Sequence, residues 1–100
     1  MGPSHSPIHP MKRIHLIIKG YVQGVAYRHK ARMQARLRHL TGWARNTPDG
    51  NVELVAEGQD QDITAFLAWC RQGPDGAEIK DIKILDEQPA GEFTDFVVRY

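Results

Sequence analysis

The sequence predicts an α+β fold, in which one antiparallel sheet carries two helices on one of its faces. Three observations predict it. The chain of 100 residues can bury one modest core, and its 41% hydrophobic and 25% charged residues are typical of a soluble globular domain. Two segments favour helix, and both are flanked by segments in which apolar and polar residues alternate. A turn containing proline and glycine joins two alternating segments directly, which predicts a hairpin.

Residues 12–19, KRIHLIIK, predict the first strand, because Ile14, Leu16 and Ile18 alternate with basic or polar neighbours. The next segment, residues 20–26, contains two glycines and predicts a loop.

Residues 27–39 predict the first helix, since neither proline nor glycine interrupts them. Tyr27 and Ala31 fall on one stripe of this helix, and Met33 and Leu37 are expected beside that stripe.

Residues 41–46, TGWARN, and residues 51–57, NVELVAE, predict two strands of a hairpin. The intervening TPDGN predicts the turn, since proline presets one backbone angle and glycine supplies a positive φ. Gly58 is expected to end the second of these strands.

The second helix is predicted after Asp60 or Asp62, either of which can act as its N-cap. Gly73 and Pro74 are expected to end it. Residues at i, i+3, i+4 and i+7 form its buried face: Ile63, Phe66, Leu67 and Cys70. Cys70 is therefore interpreted as a core thiol rather than a nucleophile.

Residues 78–85 and 93–99 predict the last two strands. The order is then β-α-β-β-α-β with a short extra C-terminal strand, which is typical of a ferredoxin-like α/β sandwich. Residues 11–100 are assigned to this single domain.

Residues 1–10, MGPSHSPIHP, are interpreted as a disordered or engineered leader, because they contain three prolines and almost no apolar residues. They lack the features of a secretory signal. His5 and His9 have no second ligand group near them and are not expected to bind a metal. A single cysteine excludes an intrachain disulfide, and we expect the protein in the reducing cytoplasm.

Charge is distributed unevenly along the chain. All 12 acidic residues lie at or after Asp49, whereas nine of the 13 Lys and Arg residues lie at or before Arg45. The basic half predicts an anionic partner: phosphate, a phosphorylated metabolite or nucleic acid. No window is long and apolar enough to span a membrane.

The stretch GYVQGVAYR, residues 20–28, combines a glycine-containing loop with the start of the first helix. Helix N-termini and acid-free loops present backbone N–H groups that bind anions, and Gly24 allows positive φ. Arg28 is a cation in the first helical turn, where the helix dipole disfavours it unless an anion binds. The stretch alone is compatible with a simple turn or with an anion cradle.

Asn46 also has two possible roles. Asparagine is favoured at the start of a turn. It could equally hold a water molecule beside a bound phosphoryl group, since the first loop and the end of the second strand can meet at one end of this fold. No carboxylate in the basic half can serve as a general base, so such a site suits a leaving group that departs unaided, such as a carboxylate.

The segments GYVQGVAYR, TGWARNTPDGNVELVAEG and GPDGAEIKDI resemble the acylphosphatase family, and the resemblance runs from about Lys12 to Tyr100. It implies a ferredoxin-like enzyme that hydrolyses the carboxyl–phosphate bond of acyl phosphates without a metal or cofactor. The family's essential arginine falls on Arg28, and its catalytic asparagine, which orients water, falls on Asn46.

The resemblance further implies that backbone amides of the loop bind the phosphate, namely those of Gln23, Gly24, Val25, Ala26 and Tyr27. Inorganic phosphate is then the product and an inhibitor, and the substrate's own phosphate accepts the proton. The small size of the domain, in turn, favours a monomer. Neither a membrane nor nucleic acid is an expected partner.

Three positions depart from the family pattern: Ala26, Tyr27 where phenylalanine is usual, and His39 where glycine is usual. The Tyr27 hydroxyl then needs solvent or a partner, and His39 is strained if its backbone is left-handed.

Two other classes of protein fit parts of the sequence. A small ferredoxin-like module that binds nucleic acid or a partner without catalysis would use the basic half, but the predicted central strands lack the aromatic residues that stack on bases. The N-terminal domain of a hydrogenase-maturation carbamoyltransferase would continue into zinc-finger domains, whereas this chain has one cysteine.

Overall fold

The computed structural model describes residues 11–100, and the leader prediction, with His5 and His9, lies outside them. The elements in chain order are β1 (Met11–Tyr21), α1 (Tyr27–Leu37), β2 (Thr41–Asn46), β3 (Val52–Gln59), α2 (Asp60–Gln72), β4 (Glu78–Glu87) and β5 (Phe96–Arg99). Within the described residues, no helix is long and apolar enough to cross a membrane.

The strands form one sheet in the order β4-β1-β3-β2-β5. The pairs among β1, β2, β3 and β4 are antiparallel, which confirms the predicted sandwich. The extra strand β5 runs parallel to β2, with Arg45 opposite Arg99, so the sheet is mixed. As a result, the carboxyl ends of β2 and β5 lie at the same end of the sheet.

Both helices cover one face of the sheet. The alternation predicted for β1 holds, because Ile14, Leu16 and Ile18 are all at most 1% exposed. The core contains, from the helices, Tyr27, Ala31, Ala35, Ile63, Phe66 and Cys70. Cys70 is fully buried, as predicted, and burial raises the pKa of its thiol to about 12.

The prediction that Asp60 or Asp62 caps α2 is wrong. β3 continues through Gly58 to Gln59 and leads directly into the helix, so Gln59 occupies the N-cap position and makes no side-chain cap bond. Both aspartates instead lie in the first turn, where their charge is favourable to the helix dipole.

Met33 and Leu37 do not pack beside the core, being 55% and 71% exposed. The buried stripe of α1 consists of Tyr27, Ala31 and Ala35. A residue two positions beyond a stripe residue is rotated by about 200° around the helix, so these two side chains point outward.

Several predicted ends shift by a few residues. α1 ends at Leu37 rather than at residue 39, and the last strand begins at Phe96 rather than at residue 93. Phe93 instead lies under the guanidinium of Arg13, whose Cζ is 4.9 Å from the ring centroid.

Candidate active site

The loop between β1 and α1, residues 22–26, forms one wall of the candidate site. Gly24 has φ 79°, and Ala26, the N-cap residue of α1, has φ 60°. No side chain caps α1, and its first turn contains no acidic residue. Across residues 11–100, no loop or side-chain hydrogen bond uses the N–H groups of residues 23–27. These amides are therefore available to an anion.

The side chain of Gln23 joins this loop to the turn between β2 and β3. Its Nε2 donates to the carbonyl oxygens of Thr47 and Asn51, each at 2.8 Å. The loop and the strand end carrying Asn46 therefore meet, as the topology predicted. Asn46 is half-buried, is the last residue of β2 and directly precedes Thr47.

Arg28 lies at the other end of the loop, in the first turn of α1, and is half-buried. Its Nη1 donates to the carbonyl oxygen of Arg99 at 3.1 Å, and its Cζ lies 4.8 Å from the ring centroid of Tyr100. Arg99 pairs with Arg45, the neighbour of Asn46. Gln23 thus contacts the residue that follows Asn46, and Arg28 contacts the strand that pairs with β2.

The carboxylate nearest to Asn46 along the chain is that of Asp49. A hydrogen bond from the Thr47 hydroxyl holds the pKa of Asp49 below its usual range. A carboxylate with a lowered pKa is a weak base. Asp49 thus offers little as a proton acceptor.

The two histidines of the α1 region, His29 and His39, take no part in an ion pair within the described residues. His39 is exposed. The His29 ring lies beside Tyr100, with Nε2 3.4 Å from the phenolic oxygen, and near Arg32. In residues 11–100, no three His, Cys, Asp or Glu side chains are arranged to hold a metal ion.

Sequence reasoning missed two contributions to this site. One is the side chain of Gln23, because the sequence indicated only its backbone amide. The other is the contact of Arg99 and Tyr100 with Arg28, since it depends on the parallel pairing of β5 with β2. No pattern in the sequence predicts that pairing. For Gln23, its polar side chain within the loop was the signal that could have indicated a contact.

Known proteins resemble this chain in sequence. The family model described as acylphosphatase matches residues 14–98. The chain is 50% identical over 88 residues to an acylphosphatase of Methylococcus capsulatus, covering 88% of this chain and 96% of that protein.

Solved structures agree with the fold as well. A crystal structure of acylphosphatase from Bacillus subtilis has a TM-score of 0.86 and 30% identity, covering 89% of this chain and 99% of that one. The structure of an acylphosphatase from Coxiella burnetii has a TM-score of 0.84 and 35% identity, covering 89% and 93%.

Proposed function

Since this chain belongs to the acylphosphatase family and is an enzyme that hydrolyses acyl phosphates, we propose that Arg28 and Asn46 are its catalytic residues. The substrate's phosphoryl group binds at the loop between β1 and α1. The backbone N–H groups of residues 23–27 and the guanidinium of Arg28 bind its oxygens, and the N-terminal end of α1 adds a partial positive charge.

Asn46 orients the attacking water. Its side-chain carbonyl accepts one hydrogen of the water, which places the water oxygen beside the phosphorus atom. The bond from phosphorus to the acyl oxygen breaks, and the electron pair leaves with the carboxylate. The conjugate acid of a carboxylate has a pKa of about 4, so this leaving group needs no protonation. The water's proton passes to a phosphoryl oxygen of the substrate.

The observation that carries this proposal is that the segment from Gln23 to Arg28 lies beside the end of β2, which carries Asn46. Gln23 contacts Thr47, which follows Asn46, and Arg28 contacts Arg99, which pairs with the residue before Asn46. Free amides, a guanidinium and an amide side chain then converge on one end of the sheet. Positioning and electrostatic stabilisation supply most of what phosphoryl transfer requires.

The test is hydrolysis of benzoyl phosphate by the wild type and by two variants. Arg28→Ala removes a binding charge, so we expect kcat/KM to fall by roughly 10²–10³-fold and inhibition by inorganic phosphate to weaken. Asn46→Ala should lower kcat by a factor on the order of 10² while phosphate inhibition stays near the wild-type value. EDTA should leave the wild-type rate unchanged.

Arg71→Ala is the matched control, because Arg71 is an exposed arginine on the other helix and should be replaceable without loss of activity. An inactive wild type would overturn the function. Equal loss of turnover and phosphate inhibition in Asn46→Ala would contradict the role of Asn46 in orienting water.

We also propose that the protein is a cytoplasmic monomer that its product, inorganic phosphate, inhibits competitively. The single thiol, buried at Cys70, supports a reducing compartment. Light scattering coupled to gel filtration measures the molar mass, and a dimer would contradict the monomer.

A further inference from the structure

We propose that Gln23 is a positioning residue. Its side chain holds Asn46 at the distance from the loop of residues 22–26 that the reaction requires. The inference rests on the proposed function, which uses only the backbone amide of Gln23. It adds a role for the side chain of the same residue.

The hydrogen bonds of Gln23 are directed at the turn that follows Asn46. Both protons of its side-chain amide are used, one on the carbonyl oxygen of Thr47 and one on that of Asn51, each at 2.8 Å. A carboxamide has two donor protons, so the donor capacity of this group is fully engaged.

The turn does not need Gln23 to close. The carbonyl oxygen of Thr47 already accepts from the N–H of Gly50 at 3.1 Å, and that of Asn51 accepts from the N–H of Thr47 at 2.9 Å. Thr47 Oγ1 also accepts from the N–H of Asn51 at 3.1 Å. Each of these carbonyl oxygens therefore accepts a second hydrogen bond, from Gln23, in addition to the one within the turn. These second bonds connect the loop of residues 22–26 to the turn between β2 and β3.

Little else connects these segments. Within residues 11–100, no other hydrogen bond joins residues 22–26 to residues 46–51. A Cβ placed on Gly24 or on Gly50 would meet no atom within 4 Å, so the loop and the turn do not pack against each other at these two positions. Gln23 and Thr47 are 24 positions apart in the chain, so the intervening chain does not itself hold them together.

The connection matters for turnover more than for binding. The N–H groups that bind phosphate lie on the loop itself and keep their places relative to one another without the turn. The water that Asn46 holds must instead be positioned relative to that loop. A displacement of about 1 Å between reacting groups can lower a rate by roughly 10²-fold.

The experiment compares Gln23→Met with Gln34→Met. Methionine matches glutamine in length and removes both donor protons. Gln34 is the control, because it lies on α1 and its Oε1 accepts from Arg38 rather than joining two segments of the site. We expect Gln23→Met to lower kcat for benzoyl phosphate by roughly 10-fold to 100-fold and to change the inhibition constant of inorganic phosphate by less than about 3-fold. Gln34→Met should match the wild type in both.

A double-mutant cycle tests whether the substitution of Gln23 lowers kcat through Asn46. In the Asn46→Ala background the water-holding amide is already absent, so adding Gln23→Met should lower kcat by less than about 2-fold. Full additivity would overturn the proposal, and so would an unchanged kcat, a parallel loss of phosphate inhibition, or loss of the folded state in Gln23→Met. An inactive wild type would instead overturn the proposed function, so the two failures are distinguishable.

Discussion

At the scale of single residues, two non-glycine residues adopt left-handed backbone conformations next to α1. Ala26 precedes the helix with φ 60°, and His39 follows it with φ 57°. The backbone of His39 is left-handed, which is the condition under which strain is expected there. His39 lies where the helix reverses into β2, and the N–H of Leu40 donates back to the carbonyl of Ala35 at 2.9 Å. Glycine is favoured at such a position, because it has no Cβ to clash.

We therefore expect His39→Gly to raise the free energy of unfolding by about 0.5–1 kcal/mol, since relief of left-handed strain exceeds the added entropy of the unfolded chain. Urea unfolding followed by tryptophan fluorescence measures it. His29→Gly is the matched control, because His29 lies inside the helix, where the same change should destabilise the protein by about 0.5–1 kcal/mol. A loss of stability in His39→Gly would contradict the strain.

At the scale of elements, a single hydroxyl connects the start of α1 to the end of α2. The hydroxyl of Tyr27 donates to the carbonyl oxygen of Cys70 at 2.8 Å in a buried environment. The residue four positions after Cys70 is Pro74, which has no N–H to continue the helical hydrogen bonds. Tyr27 thus satisfies a carbonyl that the end of α2 leaves unpaired. Burial raises the pKa of Tyr27, so the phenol stays a donor.

Tyr27→Phe should lower the free energy of unfolding by about 1–3 kcal/mol, because the carbonyl of Cys70 then stays buried without a partner. Tyr21→Phe provides the comparison, as Tyr21 is 61% exposed and the change there should stay within about 0.5 kcal/mol. Equal effects of the two substitutions would show that the Tyr27 hydroxyl does not stabilise the end of α2.

At the scale of the whole molecule, a row of ionisable side chains crosses the sheet face opposite the helices. Glu53 accepts from Arg45 at 2.6 Å and contacts His15 at 2.7 Å, and His15 lies 3.3 Å from Glu87. Arg13 then bonds Glu87 at 2.9 Å. The row joins β2, β3, β1 and β4, the four strands of the antiparallel part of the sheet.

Glu53 makes this row sensitive to acid. Burial alone would raise the pKa of Glu53, but the hydrogen bonds from His15 and Arg45 outweigh it and hold the pKa below its usual range. A carboxyl whose folded-state pKa is depressed contributes stability above its unfolded pKa, and that stability is lost as the pH falls through the folded pKa.

Glu53→Gln should therefore destabilise the protein at pH 7, and the difference from the wild type should shrink as the pH is lowered below the ordinary glutamate pKa of about 4.3. Urea unfolding at pH 7 and at more acidic pH measures it. Glu78→Gln is the control, since Glu78 is an exposed glutamate of β4. A destabilisation by Glu53→Gln that is independent of pH would contradict the assignment.

The order of the elements and most of the core could be predicted, because both depend on local periodicity. The stripes of β1 and α2 are examples, since each follows from the spacing of apolar residues along one segment. Helix geometry alone turns Met33 and Leu37 away from the stripe of Tyr27 and Ala31, so the prediction that placed them beside it was a mistake. The cap of α2 and the start of β5, in contrast, could not be predicted. Each of these depends on how one element meets another, and several local patterns are compatible with either outcome.

The sandwich and the family follow from the sequence, because the helical and strand periodicities and the motifs around Arg28 and Asn46 are local in the chain. The assembly of the candidate site depends instead on contacts between distant segments. Gln23 meets Thr47 across 24 positions, and Arg28 meets Arg99 across 71. Contacts at such separations depend on strand register and on the parallel placement of β5 beside β2, which the packing of the whole sheet decides.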